Sequence, residues 1–155
     1  MLAFANFVVQ AQELPTKPAT GAAFPLGSKF TIKLTAVDSV NYEYSIIAYE
    51  PFRETIDILN HDNLFDAKGQ DSTVVMYFCL GTRGADESER KKNKQVVLLM
   101  KNYSKVRLRY DSEMQVKEDG EFIVTSNMGV YPYVVAMEMW PHMIFKIALK
   151  AFRKG

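Results

Sequence analysis

Cysteine is almost absent from this chain of 155 residues, which contains only Cys79. A single cysteine cannot close an intramolecular disulfide, so the fold must be stable without one. A chain of this length buries roughly two thirds of the surface that its unfolded form exposes, which is enough for a core without staples. Cys79 stands in the apolar run 74–80, and no catalytic motif joins it to a base. We therefore expect a small buried hydrophobic residue rather than a reactive thiol.

An excess of charge of one sign is also missing. The chain has 19 basic and 18 acidic residues, a formal net charge of +1. No whole-protein field would draw it to nucleic acid, so we expect no nucleic-acid partner. Acids precede bases within residues 83–94, and the signs nearly cancel. Apolar runs flank this segment on both sides, so we predict a long solvated hairpin connection.

After the first dozen residues, no apolar run approaches the ~18 residues of a membrane helix. Within the first dozen, the stretch from Leu2 to Val9 is uncharged and largely apolar, and it is followed by Ala11. Small residues at Val9 and Ala11 fit a signal-peptidase site, although no basic residue appears before Lys17. We predict that residues 1–11 are the remnant of a secretory signal peptide. The alternative is a short N-terminal strand.

The predicted signal peptide determines the predicted domain boundaries and the predicted localisation. Residues 12–28 are predicted to form an extended N-terminal segment, because they begin with polar residues and prolines. Residues 29–155 have an ordinary globular composition and are expected to form a single domain. We expect the mature protein to be exported, periplasmic or extracellular, with no membrane insertion after cleavage.

Alternation of apolar and polar residues dominates the domain. Within residues 29–37, Phe30, Ile32, Leu34 and Ala36 alternate with Lys or Thr, and in 105–110 every second residue is apolar and the intervening positions carry Lys or Arg. This period of two is typical of strands with one buried and one solvated face. Further strand candidates, rich in Val, Ile, Tyr, Phe and Thr, are residues 42–50, 73–80, 95–101, 121–126 and 130–140.

Turn-forming residues separate these runs, as in 38–41 and 118–120. Residues 145–151 also alternate, so we predict a closing strand there, whereas 52–60 stays open between helix and strand. Many short strands with frequent turns predict an all-β, antiparallel β-sandwich, immunoglobulin-like in the broad sense. A closed small β-barrel is the alternative.

Enzyme motifs are missing as well: there is no Gly-rich phosphate loop, no His-Glu-x-x-His helix and no Gly-x-Ser-x-Gly elbow. Only His61 and His142 could serve as a histidine base. A pair of carboxylates that is close only in space leaves no mark on the sequence. A small glycan-active hydrolase with paired carboxylates therefore remains one alternative function.

Aromatic residues near turns suggest binding. Tyr131 and Tyr133 follow a Gly-containing bend, and Trp140 and His142 lie close by in the sequence. Exposed rings beside polar groups are a common way to grip sugars and peptides. We predict that these four residues form a ligand-binding cluster at one end of the sandwich. The alternative is that the rings close the ends of the core.

Soft metal ligands are concentrated in residues 137–143, which contain three Met, one His and one Trp. Met137 and Met139 would share one face of a strand, and His142 could fold back towards them. Thioether sulfur selects Cu(I) over harder cations. The set resembles the ligands of small exported copper-binding domains, in which two Met, one His and a capping Trp hold the metal. The resemblance implies a periplasmic Cu(I)-binding protein using Met137, Met139 and His142, with packed core methionines as the alternative.

The sequence thus predicts an exported, non-enzymatic binding or interaction domain. Its partner would be a protein or glycan at the cell surface or in the periplasm. No cofactor is expected, with copper as the alternative. The oligomeric state does not follow from the sequence.

Overall fold

The computed structural model describes residues 14–155, so the predicted signal segment 1–11 lies outside the described residues. Within the described part the chain forms ten strands, one short helix and one 3₁₀ turn. The strands are β1 (Gly21–Pro25), β2 (Ser28–Ala36), β3 (Tyr42–Pro51), β4 (Ile56–Asp57), β5 (Thr73–Thr82), β6 (Gln95–Asn102), β7 (Leu108–Gln115), β8 (Phe122–Thr125), β9 (Val135–Trp140) and β10 (Lys146–Lys154). The 3₁₀ turn spans Asp62–Leu64 and the helix, α1, spans Glu87–Lys92.

The strands form two antiparallel sheets packed face to face. The smaller sheet has the order β1-β10-β7-β8, and the larger has the order β3-β2-β5-β6-β9, with β4 pairing parallel to β5. The sheets do not close into a barrel. The predicted all-β sandwich is therefore confirmed, and the alternative of a closed barrel is wrong.

The main core lies between the two sheets and follows the alternation in the sequence. In β2, Phe30, Ile32 and Leu34 are buried against the facing sheet, while Lys29 and Lys33 point outward. Phe24 of β1 stacks on Phe30 with ring centroids 3.7 Å apart. Burial of these apolar side chains supplies the main stabilisation of the sandwich.

A second cluster covers the outer face of the larger sheet. Residues 52–71, which include β4 and the 3₁₀ turn, lie over Tyr77, Cys79 and Leu99 and pack Phe65 against them. Burial of Cys79 raises the pKa of its thiol to about 12, so the reactive thiolate is suppressed at neutral pH. The predicted role of Cys79 as a buried hydrophobic residue is confirmed.

The strand boundaries differ from the sequence predictions in several places. β7 begins at Leu108 rather than at 105, and β9 begins at Val135 rather than at 130. The predicted extended segment 12–28 contains β1, and the predicted solvated connection 83–94 contains α1. The closing strand predicted at 145–151 is confirmed as β10. The open segment 52–60 contains the two-residue strand β4.

Different strands connect the two sheets at the two open sides of the sandwich. On one side, β3 and β10 are in contact, and the hydroxyl of Tyr44 donates to the carbonyl of Leu149. On the other side, the hydroxyl of Tyr110 on β7 donates to Glu138 on β9, and Trp140 on β9 donates to Thr125 on β8. The end strands β8 and β9 therefore flank the same side. No helix within residues 14–155 is long and apolar enough to cross a membrane.

Candidate functional site

A groove of about 650 Å³ crosses the outer face of the smaller sheet, over β10, β7 and β8. The exposed Val124 and Met128 contribute an apolar part of its lining. The charged side chains that line it are Arg107, Arg109, Asp111, Glu113, Lys150 and Arg153. Four cationic groups thus face two anionic groups, which makes the groove basic although the whole chain is nearly neutral.

β7 supplies the floor of the groove through simple alternation. Leu108 and Tyr110 are buried between the sheets, whereas Arg109 and Asp111 are exposed on the outer face. Glu113 continues the outer row. Successive strand residues point to opposite faces, so one short sequence supplies both the core and the charged row.

β10 supplies the wall through a bulge. Its register with β7 shifts between Lys150 and Arg153, and Ala151 adopts a φ of 56°. The bulge turns Phe152 into the core, where its ring stacks on Tyr110 at 5.0 Å. It also brings both Lys150 and Arg153 to the groove. A regular strand would place residues 150 and 153 on opposite faces.

Two ion pairs fix the acids of the groove. Lys150 Nζ lies 2.8 Å from Glu113 Oε1, and Arg153 Nη2 lies 3.2 Å from Asp111 Oδ1. Arg109 is exposed and forms no ion pair with any acid of residues 14–155. Its guanidinium therefore remains available to a ligand.

Arg107 marks the rim of the groove next to the end of β8. Its Nη2 donates to the carbonyl of Met128 at 3.3 Å, and its guanidinium lies 4.7 Å from the centre of the Tyr131 ring. Its Nε is buried without a hydrogen-bond partner among the described residues. The side chain is thus held in place with part of its donor capacity unused.

A carboxyl group with a raised pKa lies behind the groove, between the sheets. Burial raises the pKa of Glu138 to about 7, although the hydrogen bond from Tyr110 opposes this shift. Tyr110 donates to Glu138 Oε1 at 3.0 Å, while Oε2 is buried without a partner in the described part of the chain. Glu138 is not part of the groove lining. We therefore assign it to the core rather than to the site.

The four residues of the predicted ligand-binding cluster divide between the two ends of β9. Tyr131 and Tyr133 precede β9 and are 57% and 55% exposed, and Tyr133 is held at a φ of 58°. Trp140 ends β9 and is only 8% exposed, and His142 follows it on the surface. The structure thus does not bring the four together. Tyr131 adjoins the groove through Arg107, and Trp140 contacts its lining through Thr125.

The predicted copper ligands lie on the other sheet. Met137 packs against the cluster under residues 52–71, and Met139 on the same face of β9 is 50% exposed. His142 is exposed, and its Nδ1 lies 3.4 Å from the carbonyl oxygen of Met143. No group of three His, Cys, Asp or Glu residues within 14–155 could hold a metal ion. Copper binding by the Met/His set stays a prediction, which Cu(I) calorimetry under reducing conditions would test.

The alternation in residues 105–110 predicts that Arg107 and Arg109 lie on the solvated face of a strand, but it does not mark them as a site. The sequence pattern does not show that β10 brings Lys150 and Arg153 beside these residues to form the wall of the groove. Lys150 pairs with a residue 37 positions earlier in the chain, and Arg153 with one 42 positions earlier. The alternating basic residues of 105–109 were the available signal.

Comparison of the chain with protein-family models, curated proteins and solved structures gave no match. Its function is therefore inferred from the groove and its surroundings.

Proposed function

We propose that the protein is a non-enzymatic interaction domain of an exported protein, and that it holds a carboxylate-bearing partner in the groove. The observation that carries the proposal is the exposed guanidinium of Arg109, which faces the groove without an acidic partner in residues 14–155. A guanidinium presents a planar fork of donors that matches a carboxylate. A partner acid would complete the pattern that the two neighbouring ion pairs already follow.

The arrangement favours binding over turnover. A glycosidase needs one carboxyl group as acid and a second as base or nucleophile, both facing the substrate. In the groove, Asp111 and Glu113 are each ion-paired to a basic residue of β10. Glu138 has the raised pKa that suits a general acid, but it lies between the sheets. The glycan hydrolase is therefore the weaker alternative.

The binding proposal is tested by fluorescence titration with a labelled oligoglutamate peptide and, separately, with an oligogalacturonate. Arg109→Ala is compared with Arg83→Ala, which removes an exposed arginine outside the groove. We expect Arg109→Ala to weaken binding about tenfold, which corresponds to about 1.4 kcal/mol. Arg83→Ala should leave the affinity unchanged.

Equal loss of affinity in both variants would mean that the probes respond to charge in general. If neither acidic probe binds, the proposal is overturned. A matched oligoglutamine peptide should not bind. The two acidic probes also separate a protein partner from a glycan partner.

The export part of the proposal rests on the apolar residues 2–9 and the small residues Val9 and Ala11. Its test is the intact mass of the protein recovered from its own host. A chain that begins near Gln12 supports cleavage and export. A chain that retains residues 1–11 contradicts them.

A further inference from the structure

β8 is a strand edge with which no main-chain group of residues 14–155 pairs on its outer side. It pairs with β7 on one side and ends the smaller sheet on the other. Phe122, Ile123 and Val124 are 38%, 50% and 76% exposed, and the strand contains neither a proline nor a charge. Proteins usually protect such edges with charged residues, proline or a covering segment, because a free edge is a template for another strand.

The opposite side of the sandwich shows that protection. There, β3 ends the larger sheet, and the chain before β1 covers its edge. Ala19 exchanges two main-chain hydrogen bonds of 2.9 Å with Tyr44, and Pro15 accepts one from Ile46. The free edge of β8 thus differs from an edge that the same fold covers.

Main-chain direction identifies which groups of β8 face outward. Leu108 exchanges hydrogen bonds with Val130 on the β8 side of β7, whereas Gln115 accepts from Phe145 on the β10 side. Main-chain groups alternate in direction along a strand. Ser112 lies four residues after Leu108, so its main-chain groups also point to the β8 side and bond to Thr125, which lies opposite it. Ile123, two residues before Thr125, therefore bonds to β7 as well. Phe122 and Val124 therefore direct their N–H and C=O groups to the free edge.

A second copy of β8 is complementary to this edge. If the two strands run antiparallel about a two-fold axis at Ile123, the outward groups of Phe122 meet those of Val124 of the second copy, and the reverse. The pair places an aromatic ring beside a β-branched side chain on the outer face, a favourable cross-strand combination. Ile123 then lies opposite its own equivalent, in a non-hydrogen-bonded position with close side chains.

Charge supports the same register. The turn between β7 and β8 carries one lysine and three exposed acids, Glu118, Asp119 and Glu121, none of which forms an ion pair with a base of the described chain. In this register the turn of one copy approaches Met128 and Arg107 of the other. Arg107 forms no ion pair with an acid of residues 14–155. An acidic turn meeting this arginine on each side of the axis is attractive rather than repulsive.

We propose that β8 pairs antiparallel with β8 of a second copy, centred on Ile123, so that two four-stranded sheets join across a dimer. The inference deepens the proposed interaction function by naming one partner, and it rests on that function only in using the same side of the sandwich.

Sedimentation analysis over a range of concentrations tests the pairing with Val124→Pro. Proline removes an N–H that faces the free edge, and the ladder to β7 does not use that N–H. We expect the dissociation constant of the dimer to rise at least about tenfold, the effect of losing roughly 1.4 kcal/mol. Val124→Thr keeps the N–H and should remain dimeric. A monomeric wild-type chain would overturn the inference.

Disulfide trapping tests the register without depending on the proline variant. Cys79 is the single native cysteine and is buried. Mild oxidation of Ile123→Cys should yield a covalent dimer, because this position lies opposite itself and within disulfide reach. Val124→Cys lies opposite Phe122 and should remain largely uncrosslinked. Equal crosslinking of both variants, or none, would contradict the register. Acidic probes bound by a monomeric protein would leave the proposed function intact while removing the dimer.

Discussion

At the scale of single residues, Glu138 is held in an environment that disfavours its charge. Its side chain lies between the sheets with one oxygen unpartnered within the described chain, and burial raises its pKa from the ordinary 4.5 to about 7. The folded state therefore keeps a proton that the unfolded chain releases. This contribution to stability is fully present below pH 4.5 and is lost as the pH rises towards 7. The shift corresponds to about 3 kcal/mol.

Glu138→Gln should remove this pH dependence. The amide keeps an acceptor for the Tyr110 hydroxyl but carries no charge, so we expect it to be more stable than wild type by on the order of 1–3 kcal/mol at about pH 8. The advantage should disappear near pH 4. Thermal unfolding measured across this range checks the prediction, with the exposed Glu54→Gln as the control. A difference from wild type that is the same at every pH would contradict it.

Gly129 is required where the chain returns to β7 after the groove. Its φ is +70°, and an added Cβ would collide with the carbonyl oxygen of Leu108. Gly129→Ala should therefore lower the free energy of unfolding by about 1–3 kcal/mol. Urea denaturation measures the loss, and an unchanged midpoint would refute the need for glycine here.

At the scale of elements, residues 52–71 form a lid over the outer face of the larger sheet. Tyr77 of the sheet anchors these residues in two ways. Its hydroxyl donates to the carbonyl of Leu64 at 2.7 Å, and its ring packs edge to face against Phe65 with the ring centroids 5.2 Å apart. Tyr103 donates to the carbonyl of Asp66 at 2.6 Å. The lid is thus anchored by side chains of the sheet rather than by strand pairing alone.

Phe65→Ala should loosen this lid while leaving the main core folded. Truncation of a buried Phe costs about 3–5 kcal/mol when the site cannot collapse. Hydrogen exchange should show faster exchange of the amides in 52–71, with little change in β2 and β7. Leu59→Ala, which alters a side chain that is 76% exposed, is the control and should change neither. Uniformly faster exchange throughout the chain would contradict a separate cluster.

The sequence allowed the strands with strict alternation to be predicted, but not the elements that depend on distant partners. β2 could be predicted from its period of two. β1 has the sequence Gly-Ala-Ala-Phe-Pro, which has low strand propensity and is held by pairing with β10 at the other end of the chain. The groove was not predictable because it requires the Ala151 bulge, and an alternating pattern gives no sign of a bulge.

The start of helix α1 carries a capping signal in the sequence. Its side chains are not buried, so no apolar stripe marks it. The side chain of Asp86 accepts from the Glu89 amide, and Glu89 accepts from the amide of Ala85. This acid-x-x-Glu spacing resembles a capping box and could have identified the start of the helix.

At the scale of the whole molecule, the sandwich has two unlike sides. One side is covered by the segment that precedes β1. The other combines the free edge of β8 with the adjoining basic groove. The basic groove, the exposed apolar side chains of β8 and the outward main-chain groups of β8 thus adjoin one another. This proximity unites the two proposals, because a carboxylate partner and a second strand would both approach from that side.

Amide hydrogen exchange of the full chain, measured with and without the oligoglutamate peptide, shows which surface the peptide covers. We expect slower exchange confined to β7, β8 and β10, and loss of that protection in Arg109→Ala but not in Arg83→Ala. Protection centred instead on Trp140 and His142 would contradict this expectation, as would the absence of any peptide-dependent change.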